Sequence, residues 1–171
     1  IILSVSTLIS ACSEQQFAQP SCRVKTSDTD NHQGAGACIV RINGNLLVNQ
    51  LDSGLYDLPN SNNISSTSEI QMSAQCAAHQ SIWEQTGFNV EVQKVVGVQA
   101  DGTWLFGCKL DAGFDGTEPP FDAPQSSNKQ VTSVLFIKPF EIDLHNWARP
   151  DHFDIVKDAY VLQGNYQLMQ D

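Results

Sequence analysis

Apolar residues along the chain fall into alternating runs and one clear helical stripe, separated by polar segments. Ala37 to Ile42 and Leu46 to Gln50 flank Asn43-Gly44, a pair that tolerates positive φ at both turn positions and so predicts a two-residue hairpin. From Asp52 to Ser68 the chain is rich in Ser, Asn and Asp and contains Gly54 and Pro59, which predicts a loop. Ser66 stands three residues before Glu69, the spacing of a capping box. Ile70, Ala74, Ala77, Ala78 and Ile82 then recur at helical spacing, predicting a helix that Gly87 stops, with Phe88 packing back on it. Asn89 to Gln99 and Thr103 to Leu110 are β-rich and joined through Asp101-Gly102, a second hairpin. Residues 111 to 129 hold three of the seven prolines and predict a long surface loop. Val131 to Lys138 reads as a further strand, and His152 to Leu162 (Phe153, Val156, Ala159, Tyr160) as a second helix. Strands around two helices predict an α/β fold, a mixed β-sheet between helical layers.

The two ends of this pattern differ. Ile1 to Ala11 is an apolar run too short to span a bilayer, and it reads as the hydrophobic part of a secretory signal. Ile9-Ser10-Ala11-Cys12 looks like a bacterial lipobox, in which Cys12 would carry a lipid; cleavage after Ala18 and a buried N-terminal helix are the alternatives. Residues 1–19 are thus expected to be a leader, 20–33 a linker or an edge strand starting at Cys22-Arg23-Val24, and 34–171 the folded domain. Apart from Cys12 the cysteines are Cys22, Cys38, Cys76 and Cys108, an even number suited to disulfides in an oxidising compartment. Three pairings are open, and free buried thiols remain an alternative. No short ligand spacing suggests zinc.

Charge narrows the partners. Nine basic residues against 19 acidic ones give a net charge of -10, and no two bases are adjacent. Such a surface repels phosphate backbones, so nucleic acid is not expected to bind.

The helix carries the chemistry. Leu58-Pro59 followed by Ala77-Ala78-His79-Gln80-Ser81-Ile82-Trp83-Glu84-Gln85-Thr86-Gly87-Phe88 resembles the Nudix (MutT-like) box, G-x(5)-E-x(7)-R-E-U-x-E-E-x-G-U, which usually follows a Leu-Pro-Gly-Gly strand end. Gly34-Ala35-Gly36-Ala37-Cys38-Ile39-Val40 is similar to that family's first core strand. The resemblance covers residues 34 to 110 and implies a Nudix-type α/β/α sandwich. Trp83-Glu84, Thr86-Gly87-Phe88, the loop Pro119 to Pro124 and Asp158-Ala159-Tyr160 also resemble a subgroup found beside phosphatidate-phosphatase-like membrane domains. No further long apolar run precedes Asp171, so no membrane domain is expected within these residues.

The family's box works because hydrolysis of a phosphoanhydride builds negative charge that Mg²⁺ or Mn²⁺ neutralises, and hard cations want several carboxylates on one helix face. Anchored on Gly87, the box arginine falls on Gln80 and the glutamate after it on Ser81. Glu84 keeps the first acid of the later pair, while Gln85 replaces the second. The upstream glutamate falls on Met72 and the first glycine on Ser66; Glu69, one turn early, is a possible substitute. Leu-Pro-Gly-Gly has become Leu58-Pro59-Asn60-Ser61. The packing positions Ile82, Thr86, Gly87 and Phe88 persist. Losing Arg and Glu together is what a fold freed of its metal tolerates, since a stranded partner would cost ~3–5 kcal/mol.

Other residues stand beside dull readings. His79 is a candidate base or simply a partly exposed helix histidine. Trp83 and Trp104 line a pocket or pack at a rim. Asp101, Glu118, Asp122 and Glu141 lie where loop acids contact substrates in this family, although loop acids are usually only solvated. His32, His145 and His152 show no ligand spacing. The expectation is an exported, envelope-held protein with a degenerate box that binds a small phosphorylated ligand or an envelope protein, reaching the membrane only through a lipid anchor. No cofactor is expected in that case. The alternative is a Mg²⁺- or Mn²⁺-dependent hydrolase of a nucleoside, sugar or lipid diphosphate, using Glu84 and non-standard acids.

Overall fold

Asn43 and Gly44 both take left-handed φ, 48° and 75°, and turn strand β1 (Gly36–Ile42) directly into β2 (Asn45–Leu51). The computed structural model describes residues 20–25, 32–61, 72–110, 121–122 and 130–169. After β2 come the short β3 (Tyr56–Asp57), helix α1 (Ala74–Thr86), β4 (Val90–Val98), β5 (Trp104–Leu110), β6 (Phe121–Asp122), β7 (Val131–Ile137) and helix α2 (Phe153–Leu168). The expected loops therefore contain β3 and β6, two-residue strands too short to leave a pattern of their own.

The seven strands form one mixed sheet in the order β4-β5-β1-β2-β7-β6, with β3 on β2. β1 pairs with β5 in parallel and the other named pairs are antiparallel. Side chains alternate across the sheet with a period of two. Ala37 and Ile39 of β1, Leu46 and Val48 of β2 and Leu105 of β5 join a core with Phe153, Val156, Ala159 and Tyr160 of α2. Their neighbours Cys38, Val40, Leu47, Phe106 and Cys108 join a second core with Ala74, Ala78 and Ile82 of α1. Both faces are covered, so the fold is the expected α/β/α sandwich. Burial on both faces also explains why β1 is a continuous apolar run.

Disulfides join Cys22 to Cys76 and Cys38 to Cys108. The first ties the segment 20–25 to α1, and that segment makes a parallel bridge from Val24 to Val92. The second links adjacent strands β1 and β5 inside the α1-side core. Among the described residues no helix is long and apolar enough to cross a membrane.

Candidate functional site

Helix α1 begins at Ala74, later than the apolar stripe predicts. Ser73 is its N-cap, its Oγ accepting from Cys76 N at 3.3 Å, and Ala74 N donates to the carbonyl of His32 at 2.8 Å. Gln33 also bridges Ser73. These partners lie some forty residues upstream, which is why local spacing misplaces the start. Ser66 and Glu69 lie outside the described residues, and Met72 stands before the helix rather than on it. The stop at Gly87 is as expected: its φ is 74°, and its N–H donates to Trp83 O.

Polar side chains fill the buried length of α1. Gln80, Ser81 and Gln85 are 5, 0 and 2% exposed. Gln85 is bonded at both ends: Asn49 Nδ2 of β2 donates to its Oε1 at 2.8 Å, and its Nε2 donates to the Asn60 carbonyl at 2.8 Å. Asn60 Nδ2 in turn donates to Leu58 O at 2.9 Å, shaping the Leu58-Pro59-Asn60 turn. Gln80 Nε2 donates to Glu84 Oε1 one turn along. Ser81 Oγ donates to Ala78 O, an ordinary helix back-bond. His79 is buried, not partly exposed, with Nε2 3.0 Å from Asn89 Oδ1. Trp83 and Glu84 remain half-buried at the outer side.

A second polar cluster sits at the other end of the turn. Asp57, just before Leu58, accepts from Leu58 N at 2.8 Å and from Arg149 Nη2 at 2.9 Å and Nε at 3.3 Å. Arg149 also reaches Asp101 at 3.3 Å. Buried His152 places Nε2 3.5 Å from Asp151 and 4.0 Å from Asp101. Burial pushes the Asp57 carboxyl up from its ordinary value, outweighing the charge and hydrogen bonds of Arg149. For Asp101 burial acts the same way but loses to the Thr103 bonds and the His152 and Arg149 charges, so its carboxyl sits low. Asp101 thus ties the Thr103 turn to Arg149. Neither Asp57 nor Arg149 stood out in the sequence, where nothing local connects them.

The remaining candidates are dispersed. Glu141 pairs with Lys138 on the surface, His145 is exposed, and His32 stacks on Trp104 with ring centroids 4.1 Å apart. Glu118 lies outside the described residues, and Asp122 contributes to β6 through its backbone.

By sequence, the chain matches no family model and no curated protein. Solved structures do match. A Nudix hydrolase from Nitrosomonas europaea superposes with a TM-score of 0.56 at 11% identity, over 77% of this chain and 90% of that one. A UDP-X diphosphatase gives 0.51 at 17%, over 82% and 67%. An ADP-ribose pyrophosphatase from Streptococcus suis gives 0.50 at 16%, over 73% and 89%.

This chain has the Nudix fold.

At such identities the likeness is one of fold, and the chemistry has to be read from the side chains. On this Nudix fold, α1 holds Glu84 as the single acid among Ala74–Thr86. One Glu84 oxygen accepts from Gln80, and the Gln85 amide oxygen already accepts from Asn49. Among the described residues no three His, Cys, Asp or Glu side chains gather to hold a metal. Mg²⁺ gives up its water reluctantly and asks for near-octahedral oxygen donors, which one shared carboxylate does not supply. The residues present on α1 therefore do not fit a catalytic Mg²⁺ or Mn²⁺ site.

Proposed function

We propose that this protein is an exported Nudix-fold binding protein that has given up efficient phosphoanhydride hydrolysis. Its ligand would be a small phosphorylated molecule or an envelope protein, held at the face around Trp83 and Glu84. The observation that carries the reading is Gln85, whose two amide ends are engaged by Asn49 and the Asn60 carbonyl. To ligate a cation through Oε1 it would have to give up or share the buried hydrogen bond from Asn49, worth roughly 0.5–1.5 kcal/mol net and more when a group is left unpaired. Export is supported by the pairing of all four cysteines outside the leader, since disulfides persist in oxidising compartments. The lipid anchor at Cys12 belongs to the same proposal and rests on the lipobox pattern.

A hydrolase of nucleoside, sugar or lipid diphosphates is the second reading. It is favoured by the fold and by Glu84, which is only half-buried. Release of phosphate from a panel of diphosphates with Mg²⁺ or Mn²⁺, for wild type and Glu84→Gln, separates the two. The binding reading expects no metal-dependent turnover above the Glu84→Gln background. Turnover that the substitution abolishes would defeat it.

A further inference from the structure

Helix α2 buries one side against the sheet, but over its last turns the opposite side is largely apolar as well, interrupted by exposed Asn165 and bordered one turn earlier by exposed Asp158. Val161, Leu162, Leu168 and Met169 are 42, 50, 78 and 81% exposed. At 3.6 residues per turn they share the outward face. Cations flank this strip on both sides. Next to Leu162, Lys25 and Lys94 stand 5.2 and 3.8 Å from the centre of the Tyr166 ring, and Lys25 Nζ donates to Tyr166 Oη at 3.2 Å. Beyond Val161 and Leu168, Arg41 lies 4.6 Å from the centre of the Tyr160 ring and against Gly164. None of the three cations pairs with a carboxylate among the described residues. In a chain with 19 acids and nine bases, such a gathering is the exception. The C-terminal dipole of α2 accounts for only about half a charge of it.

We propose that the C-terminal half of α2 is a docking surface for an anionic lipid bilayer. The apolar strip enters the boundary between headgroups and acyl chains, and Lys25, Lys94 and Arg41 meet lipid phosphates. The overall charge of -10 repels such a surface at a distance, but beyond a Debye length of about 8 Å that repulsion is screened and the local cations decide. A second copy of the chain fits less well, because a two-fold contact sets each cation-flanked strip against its twin. The inference rests on the envelope reading above. Lys25 lies in the segment that continues upstream toward Cys12, so a lipid there would tether this side of the molecule within reach of a few tens of ångströms, at about 3.5 Å per residue.

Flotation of the full chain carrying Cys12→Ser, which removes the lipid, tests the docking alone. Vesicles of phosphatidylcholine are compared with vesicles of phosphatidylcholine and phosphatidylglycerol. The protein should partition onto the anionic vesicles and come off with added salt. Leu162→Asp, and separately Lys25→Glu with Lys94→Glu, should each weaken partitioning by about tenfold or more. These positions are exposed or at the rim, and circular dichroism with intact disulfides checks that the variants fold. Absence of binding, or equal binding to neutral vesicles, would overturn the proposal. So would a dimer in light scattering that Leu162→Asp dissolves while flotation stays negative. Mass analysis of the Cys12 peptide in wild type tests the anchor separately, and an unmodified Cys12 would sink that reading without altering the flotation result.

Discussion

Asp57 and Arg149 are 92 residues apart in sequence and joined by a 2.9 Å ion pair that closes the turn leading to the α1 face. Arg149 comes from the segment that precedes α2, where Ala148 N donates to Tyr56 O at 2.8 Å. That segment therefore braces β3 and, through it, Leu58 and Asn60, whose carbonyl accepts from Gln85.

Removing Arg149 should strand the Asp57 carboxylate. In Arg149→Ala the loss at neutral pH should be about 3 kcal/mol, the scale for breaking a largely buried pair. Asp57 already has a raised carboxyl pKa, so its contribution is fully present below the unfolded value and is lost as pH rises through the folded one. Without the guanidinium that pKa rises further, and acidification should restore part of the lost stability by protonating Asp57. Asp101 has the opposite sign: its lowered pKa gives stability above the unfolded value that is lost as pH falls through the folded one. Urea unfolding of Arg149→Ala with and without Asp101→Asn, at mildly acidic and neutral pH, reads both. An equal loss in Arg149→Ala at the two pH values would contradict the assignment.

The two disulfides should respond differently to reductant. Cys38 and Cys108 are fully buried, whereas Cys22 is exposed. Mild thiol treatment followed by alkylation and mass analysis should label Cys22 and Cys76 first. Cys22→Ser with Cys76→Ser opens a loop with a sequence separation of 54. Chain entropy puts that near ~4 kcal/mol, with typical measured values of about 2–4. Simultaneous labelling of all four cysteines under native conditions would rule out the assigned difference in access.

Gly36 should be the least replaceable glycine of the sheet. A Cβ there would lie 2.0 Å from the Ala74 carbonyl and 3.1 Å from Ala78 Cβ, so α1 could not rest on β1. Gly36→Ala should cost at least about 1–3 kcal/mol as an overpacked contact with backbone. At Gly107 the clash is with the end of the buried Gln163 side chain rather than with backbone, and the cost should be smaller. Denaturant midpoints that rank the two variants the other way would refute this.

Local signals carried much of the fold. Asn43-Gly44 and Asp101-Gly102 mark both hairpins, Gly87 ends α1, and Phe153, Val156, Ala159 and Tyr160 mark the buried side of α2. Each depends on residues a few positions apart. What stayed hidden depends on distant partners. The start of α1 is set by Ser73 and the His32 carbonyl, β3 exists because β2 and Trp147 border it, and the disulfide pairing follows from the sheet order. The site divides likewise. The box resemblance places Gln80, Ser81, Glu84 and Gln85 on one helix, but the role of Gln85 needs Asn49 from β2, and the bracing of Asp57 needs Arg149.

Titration of the protein with Mn²⁺, followed by the paramagnetic resonance signal of the free ion, puts the central claim to its most direct test. With Gln85 engaged by Asn49 and Asn60, the signal should match that of Mn²⁺ in buffer for wild type and Glu84→Gln alike. Stoichiometric loss of the signal in wild type, recovered in Glu84→Gln, would show that this helix still holds a catalytic cation.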